Sequence, residues 1–299
     1  MEATDIVTKS TFSIKRIDWR KIVSIFRDAP KIPVIILMIF FVFGVFGRFI
    51  VPYPPNKTSF AEALTAPYGF EGGSPKHLLG TDQLGRDILS RIIIGASISL
   101  QVGIITVVVA GVVGSAVACF SGYMGGKWDL ILMRLLDMVM SMPFLVVAIA
   151  LAAILGASKW NLIIILCLVA WAWYARVLRA EVLKIKESDF IRLAVVAGVS
   201  KPRIMLRHIF PNIVNTLVVL ATLNLGNVII FEASLSFLGL GVPPPDPTWG
   251  GMVSEGRDYI NQAWWLCTFP GIAILLVVLS FNLLGDWLRV RLDPKLRQV

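Results

Sequence analysis

Six stretches of the 299-residue chain are long and apolar enough to settle its solvent: residues 32–51, 92–120, 138–158, 160–174, 212–231 and 264–284. A helix rises 1.5 Å per residue, so about 20 apolar residues cross the roughly 30 Å hydrocarbon core. The fourth stretch is short, but it runs on through residues 175–182, where Arg176 and Arg179 can snorkel to the interface. Backbone in lipid must satisfy its own hydrogen bonds, and these runs are too long for barrel strands. With 57% apolar and 16% charged residues and a mean hydropathy of +0.78, a soluble domain is excluded. The expected fold is an all-α polytopic membrane protein of six transmembrane helices, the third kinked at Pro143.

The net charge of +9 is unevenly placed. Lys and Arg number seven in residues 1–31, two in 121–137, eight in 176–207 and four in 289–297, segments that six crossings put on one side. The other side receives four in residues 52–91, then Lys159 and Arg257 alone, with Arg48 inside the first span. The positive-inside rule makes both termini and residues 176–207 cytoplasmic. The basic excess is topology, and no nucleic-acid partner is expected. The first apolar run begins after about 30 residues and VFGRFIVPYPP lacks a small-residue cleavage pattern, so it reads as a retained helix.

Chemistry on this chain finds little support. SGYMGGK has Ser121 where a phosphate-binding loop needs Gly, and Trp128 where it needs Ser or Thr. Cys119, Cys167 and Cys267 sit singly in apolar runs, and His77 and His208 fall on opposite faces of the membrane, so no metal set is expected. No Ser or Cys lies in a nucleophile elbow. No catalytic residue is assigned, and a path across the membrane is the expected role.

Two external features carry charge or rigidity. LGTDQLGRDILSR, before the second span, offers Thr81 or Asp82 as a helix cap and sets Asp82 and Asp87 around Arg86. It reads either as a capped, locally paired interfacial helix or as a docking surface, together with Trp249 of the rigid link GVPPPDPTWGG. Glu232 follows LGNVIIF, at a depth where an acid costs roughly 2.5–3.5 kcal/mol on insertion scales and is a functional candidate by default. It lines a pathway or gate with Ser234 and Ser236, or lies at the outer interface satisfied by those hydroxyls. Small residues in the second and third spans, among them Gly111, Gly114, Ala148 and Ala152, allow close helix approach.

Residues 183–207 are too charged for lipid, yet they are patterned. Ser188 can cap a helix with Asp189 in its first turn, and Phe190, Leu193, Ala194 and Ala197 follow at helical spacing. Gly198 offers a stop, Ser200-Lys201-Pro202 a restart, and Pro211 an end. A soluble partner's groove or the inner leaflet would accept the apolar stripe.

AGVSKPRIMLRHIFPN resembles the cytoplasmic EAA motif of permeases in binding-protein-dependent ABC importers: Gly198, Ile209 and Pro211 match, while Arg192, Leu193 and Ala194 stand where Glu-Ala-Ala is named. LGTDQLGRDILSRIIIGASISL, EASLSFLGLGVPPPDPTWGGM and LGDWLRVRLDPKLR are similar to the second permease of the dipeptide/oligopeptide/nickel importers, so the resemblance covers residues 79–297. It implies a type I ABC importer permease fold in a bacterial or archaeal inner membrane. It also implies a heterodimer with a homologous permease, two ATPase subunits that hold ATP and Mg, and an external substrate-binding protein. The helix at 188–198 would sit in a cleft on an ATPase, which makes Phe190, Arg192, Leu193, Ala194, Ala197, Gly198, Lys201, Arg203, His208 and Pro211 the expected coupling residues. The cargo would be di- or oligopeptides; nickel chelates, opines and sugars are the family's alternatives, and an ion-coupled carrier working alone is the rival outside it. The expected organisation is a cytoplasmic segment at 1–31, the first helix and an external segment at 32–91, a core at 92–288 with coupling helices near 188–210, and a tail at 289–299.

Overall fold

A computed structural model describes residues 28–292; the basic segment 1–27 and the last seven residues of the tail lie outside the described residues. Helix α1 (Lys31–Ile50) turns Pro33, Leu37, Phe40, Gly44 and Gly47 inward, a 4-3-4-3 spacing that makes one narrow stripe. Its other faces, with Ile35, Met38, Ile39 and Phe46, are exposed and suited to lipid.

Helix α2 (Ile88–Met124) is the central post. The long helix α5 (Lys159–Lys186) lies parallel to it, since Gly114 meets Tyr174 and Gly122 meets Val182, residue n beside n + 60. Helix α7 (Lys201–Phe237) runs antiparallel to α2, because Gly103 meets Leu225 and Gly111 meets Leu217. Helix α9 (Trp265–Leu292) is antiparallel to α7 in turn, Gly226 against Val278 and Gly285 against Leu223. Gly44 and Gly47 of α1 meet Leu100 and Ile93, which makes α1 antiparallel to α2. The crossings therefore alternate, and an Arg291–Asp28 contact of 3.2 Å holds the end of α9 beside the start of α1. The start of α1, the end of α9 and residues 187–200 share one face, the basic and hence cytoplasmic one.

The third crossing corrects the sequence reading. It is not one kinked helix at 138–158 but a pair, α3 (Gly126–Ser141) and α4 (Phe144–Leu155), bent by 87°. Pro143 lacks an N–H and pushes Met142 into extended backbone, φ −97° and ψ 140°, so the helix breaks between them. Among the described residues there are thus five unbroken apolar spans, and six crossings when the bent pair counts as one. The acids of α3 are paired: Asp129 with Arg179, and Asp137 with Arg176, both across to α5. Arg176 and Arg179, expected to reach the interface, end on these carboxylates of α3.

Between α1 and α2 the chain builds an external cap, residues 51–87, closed by two isolated β-bridges, Ala66–Gly73 and Thr81–Asp87. Helix α8 (Trp249–Arg257) lies in the second external link, capped by the Thr248 hydroxyl, which accepts from the Gly251 N–H. The cap of α2 is Asp87, not Thr81 or Asp82: its carboxylate accepts from the Ser90 N–H at 2.8 Å and the Ser90 hydroxyl at 2.7 Å.

Candidate functional site

On the cytoplasmic face α5 ends at Lys186, and α6 (Asp189–Val196) follows after two residues. Ser188 stands at the N-cap position, but its hydroxyl donates to the Ile185 carbonyl, and its own carbonyl accepts from Ile191 and Arg192 N–H. At 100° per residue α6 has three faces. Ile191 and Ala194 point into a core made with Tyr174, Leu178, Val182, Ile204 and Ile209. Phe190, Leu193 and Ala197 point outward and are exposed. Arg192, Val195 and Val196 line a cleft on the third side. The single stripe expected from sequence is thereby split, with Ala194 turned inward and Ile191, overlooked in the sequence, as its companion anchor.

Gly198 takes φ +74°, the left-handed region that favours glycine, and its N–H bonds the Val195 carbonyl while Val199 N–H bonds Ala194. The next helix does not end at Pro211. It continues from Lys201 to Phe237 through a π-turn at Met205–Ile209. The wider turn moves carbonyls away from the Pro211 ring and tolerates its missing N–H. The Asn212 side chain donates to the His208 carbonyl at 2.6 Å. Pro211 is therefore an in-helix residue, and the cytoplasmic hairpin is one piece with a membrane span. Lys201, Arg203 and Arg207 are exposed on its first two turns and His208 is half-buried.

About thirty residues further along that helix, roughly 45 Å, Glu232 is 1% exposed between α7 and α2. Ser99 of α2 donates to Oε2 at 2.9 Å, and Ser236, one turn on, donates to Oε1 at 2.8 Å. Ser234 donates to the Ile230 carbonyl instead. The carboxylate clamps two helices, and the Ser99 contribution could not be read from sequence because it comes from 133 residues away. Glu232→Ala, which leaves two hydroxyls without their acceptor, is expected to cost about 1–3 kcal/mol. Glu232→Gln should stay close to wild type in a thermal scan in detergent, and equal midpoints for both variants would disprove the clamp.

The residues expected to form an external docking surface are buried: Asp82, Arg86, Asp87 and Trp249 are each at most 6% exposed. Asp82 Oδ1 accepts from Leu84 and Arg86 N–H, and Oδ2 from Arg86 Nε at 2.6 Å. Glu255 of α8 takes Arg86 Nη2 at 2.8 Å and Arg91 Nη2 at 3.1 Å. Asp87 also meets His77 Nδ1 at 2.8 Å. Trp249 Nε1 donates to the Ile92 carbonyl at 2.9 Å, and its ring packs 5.6 Å from Phe40. These side chains bind the cap to α2 and α8 and cannot themselves meet another protein. Among the large apolar residues the cap exposes Phe60, Tyr68 and Phe70, with Phe70 edge-on to Trp264 at 5.3 Å, and Ile260 is exposed in the link after α8. At the cap's rim the Ser59 hydrogen bond, with His77 and Lys76 nearby, holds the Glu62 carboxyl below the usual carboxylate range.

The family described as "binding-protein-dependent transport system inner membrane component" matches residues 110–298. The chain is 45% identical to the dipeptide transport system permease protein DppC of Escherichia coli (strain K12), over 84% of this chain and 83% of that one. It is 41% identical to the di/tripeptide transport system permease protein DppC of Pseudomonas aeruginosa, over 83% and 82%. With the glutathione transport system permease protein GsiD of Escherichia coli O6:K15:H31 it shares 43% identity over 76% and 75%.

Proposed function

Since the chain belongs to the family of inner membrane components of binding-protein-dependent transport systems, we propose that it is the permease subunit that carries short peptides inward. The observation that carries the cargo is that relatives at 41–45% identity are named for dipeptides, tripeptides and a glutathione system. In this reading an external binding protein delivers the peptide, and a homologous permease forms the other half of the pathway. Two ATPase subunits below supply the energy with ATP and Mg, and this chain hydrolyses nothing.

The outward face of α6 meets an ATPase. Phe190, Leu193 and Ala197 are apolar, exposed and ringed by charge, as a helix-in-groove contact requires. Ile191 and Ala194 fasten the other side of α6 to Ile204 and Ile209 at the root of α7. A push on α6 is thus delivered to a continuous helix whose far part holds Glu232 and Ser236. Glu232 with Ser99 and Ser236 acts as the outer gate: parting α2 from α7 must first break the Ser99 hydrogen bond to a buried carboxylate that Ser236 holds in place within α7. Arg192, in place of an acid, reaches Glu187 at 3.2 Å with both side chains exposed, so this pair adds little to stability.

The test is the reconstituted importer in liposomes with its binding protein and a panel of dipeptides, tripeptides, nickel chelates and sugars. Peptide uptake that needs both ATP and the binding protein is expected, and uptake of only a non-peptide would overturn the cargo. Leu193→Asp, on an exposed site, is expected to leave the fold intact and lower peptide-stimulated ATP hydrolysis at least tenfold. Full stimulation in that variant would remove α6 from the coupling path.

A further inference from the structure

The cleft on the third side of α6 is about 460 Å³, within the range of small-molecule sites. Its floor is apolar, made by Tyr123 and Met124 at the end of α2 with Ile191, Val195 and Val196 of α6. Its polar residues are Lys186, Arg192, Lys201 and one acid, Glu187. Glu187 is taken by Arg192, and among the described residues neither lysine makes a salt bridge. Lys186 is held over the Tyr123 ring, 5.8 Å from its centre, with Nζ beside the Gly125 hinge between α2 and α3. The site thus joins an apolar floor to two ammonium groups in excess.

The neighbouring aromatic residue fixes its depth. Trp128, Leu130 and Ile131, in the first turns of α3, are exposed apolar residues, with Trp128 edge-on to Phe120 at 5.8 Å. An exposed Trp beside an apolar run marks the headgroup level of a bilayer. Met124 and Trp128 are four residues apart across the Gly125 hinge, and Lys186 Nζ stands beside Gly125 between them. The cleft therefore opens at the inner leaflet's headgroups rather than in the cytosol. Basic pockets between helices on this side select anionic headgroups.

We propose that the cleft binds the headgroup of an anionic phospholipid, its phosphate between Lys186 and Lys201 and its glycerol and first methylenes on Val195, Val196 and Met124. Arg192 and Val195 lie on a different face of α6 from Phe190, Leu193 and Ala197, so lipid and ATPase occupy opposite sides of the same helix. A bound lipid would wedge α6 against the ends of α2 and α5 and set the angle at which the outward face is presented. The proposal rests on the membrane topology and not on the peptide cargo, so either can fail without the other.

Native mass spectrometry of the importer complex, loaded in phosphatidylcholine containing graded phosphatidylglycerol, tests it. The wild type is expected to keep one phosphatidylglycerol that Lys186→Gln/Lys201→Gln loses, with affinity lower by roughly thirtyfold from two neutralised lysines. Lys159→Gln, on the opposite face, should keep it. Val196→Trp, which fills the cleft without changing charge, should lose it, and a thermal midpoint equal to wild type in each variant excludes misfolding. Equal retention in the double variant would overturn the proposal. So would displacement by millimolar inorganic phosphate, which indicates a free-anion site, or loss of the lipid when the ATPase subunits bind, which assigns the cleft to a protein partner.

Discussion

Gly114→Ala should destabilise the protein in detergent by about 1–3 kcal/mol or more, while Gly111→Ala, one turn earlier on the same helix, should leave it unchanged or slightly firmer. A methyl on Gly114 would stand 2.5 Å from Tyr174 Cβ, 2.7 Å from the Trp171 carbonyl oxygen and 3.0 Å from the Ala175 nitrogen. Two of those three atoms are backbone, so relief requires α5 to move away from α2. At Gly111 the nearest atoms are Leu217 Cδ1 at 3.5 Å and Tyr174 Cε1 at 3.9 Å, ordinary van der Waals contact. In lipid the gain between helices comes from close packing rather than from water, so parting the backbones removes the attraction itself. Thermal midpoints of the two variants decide the matter, and equal midpoints would mean that α2 and α5 are not packed in this register.

Asp82→Ala should cost about 3–5 kcal/mol, because it leaves Arg86 buried without its closest carboxylate. Asp82 Oδ2 lies 2.6 Å from Arg86 Nε and 3.6 Å from Arg91 Nε, and Oδ1 closes the turn through two N–H groups. With the acid gone, two guanidiniums share Glu255 alone. The expected sign is a cap that opens before the helices part: external protease should cut residues 51–87 in the variant and not in the wild type. Asp258→Ala, which removes an exposed pair with Arg257 on the same face, should change the midpoint by less than about 1 kcal/mol. Matching protease patterns in the two variants would refute the role of the buried network.

Much of this was legible in one dimension. Apolar run length located five of the crossings, and the Lys/Arg imbalance oriented them, because both are sums over local composition. The α6–Gly198–α7 hairpin was legible for the same reason: a glycine stop, a Ser-Lys-Pro restart and helical spacing are near-neighbour signals. The EAA-like pattern then tied that hairpin to a family that the match over residues 110–298 also gives.

The misreadings have two causes, partners distant in sequence and a turn that composition does not mark. A third span at 138–158 leaves Asp129 and Asp137 outside it, and their partners Arg179 and Arg176 lie 50 and 39 residues away. Asp82, Arg86 and Asp87 looked like a surface because charge in an external loop is normally solvated, whereas Glu255 reaches Arg86 from 169 residues downstream. Pro211 looked like a helix end because the π-turn that accommodates it leaves no mark in composition.

By itself, then, the sequence determined the solvent, the number and direction of the crossings and the position of the cytoplasmic hairpin, since each follows from local hydropathy, local charge or adjacent turn chemistry. The tertiary structure alone decided which charges are paired, which face of α6 is free, that the hairpin is continuous with the helix carrying Glu232, and that a cationic cleft opens beside it. Those features require side chains that are distant in the chain to meet, and burial and electrostatics act on distance in space rather than on distance in sequence.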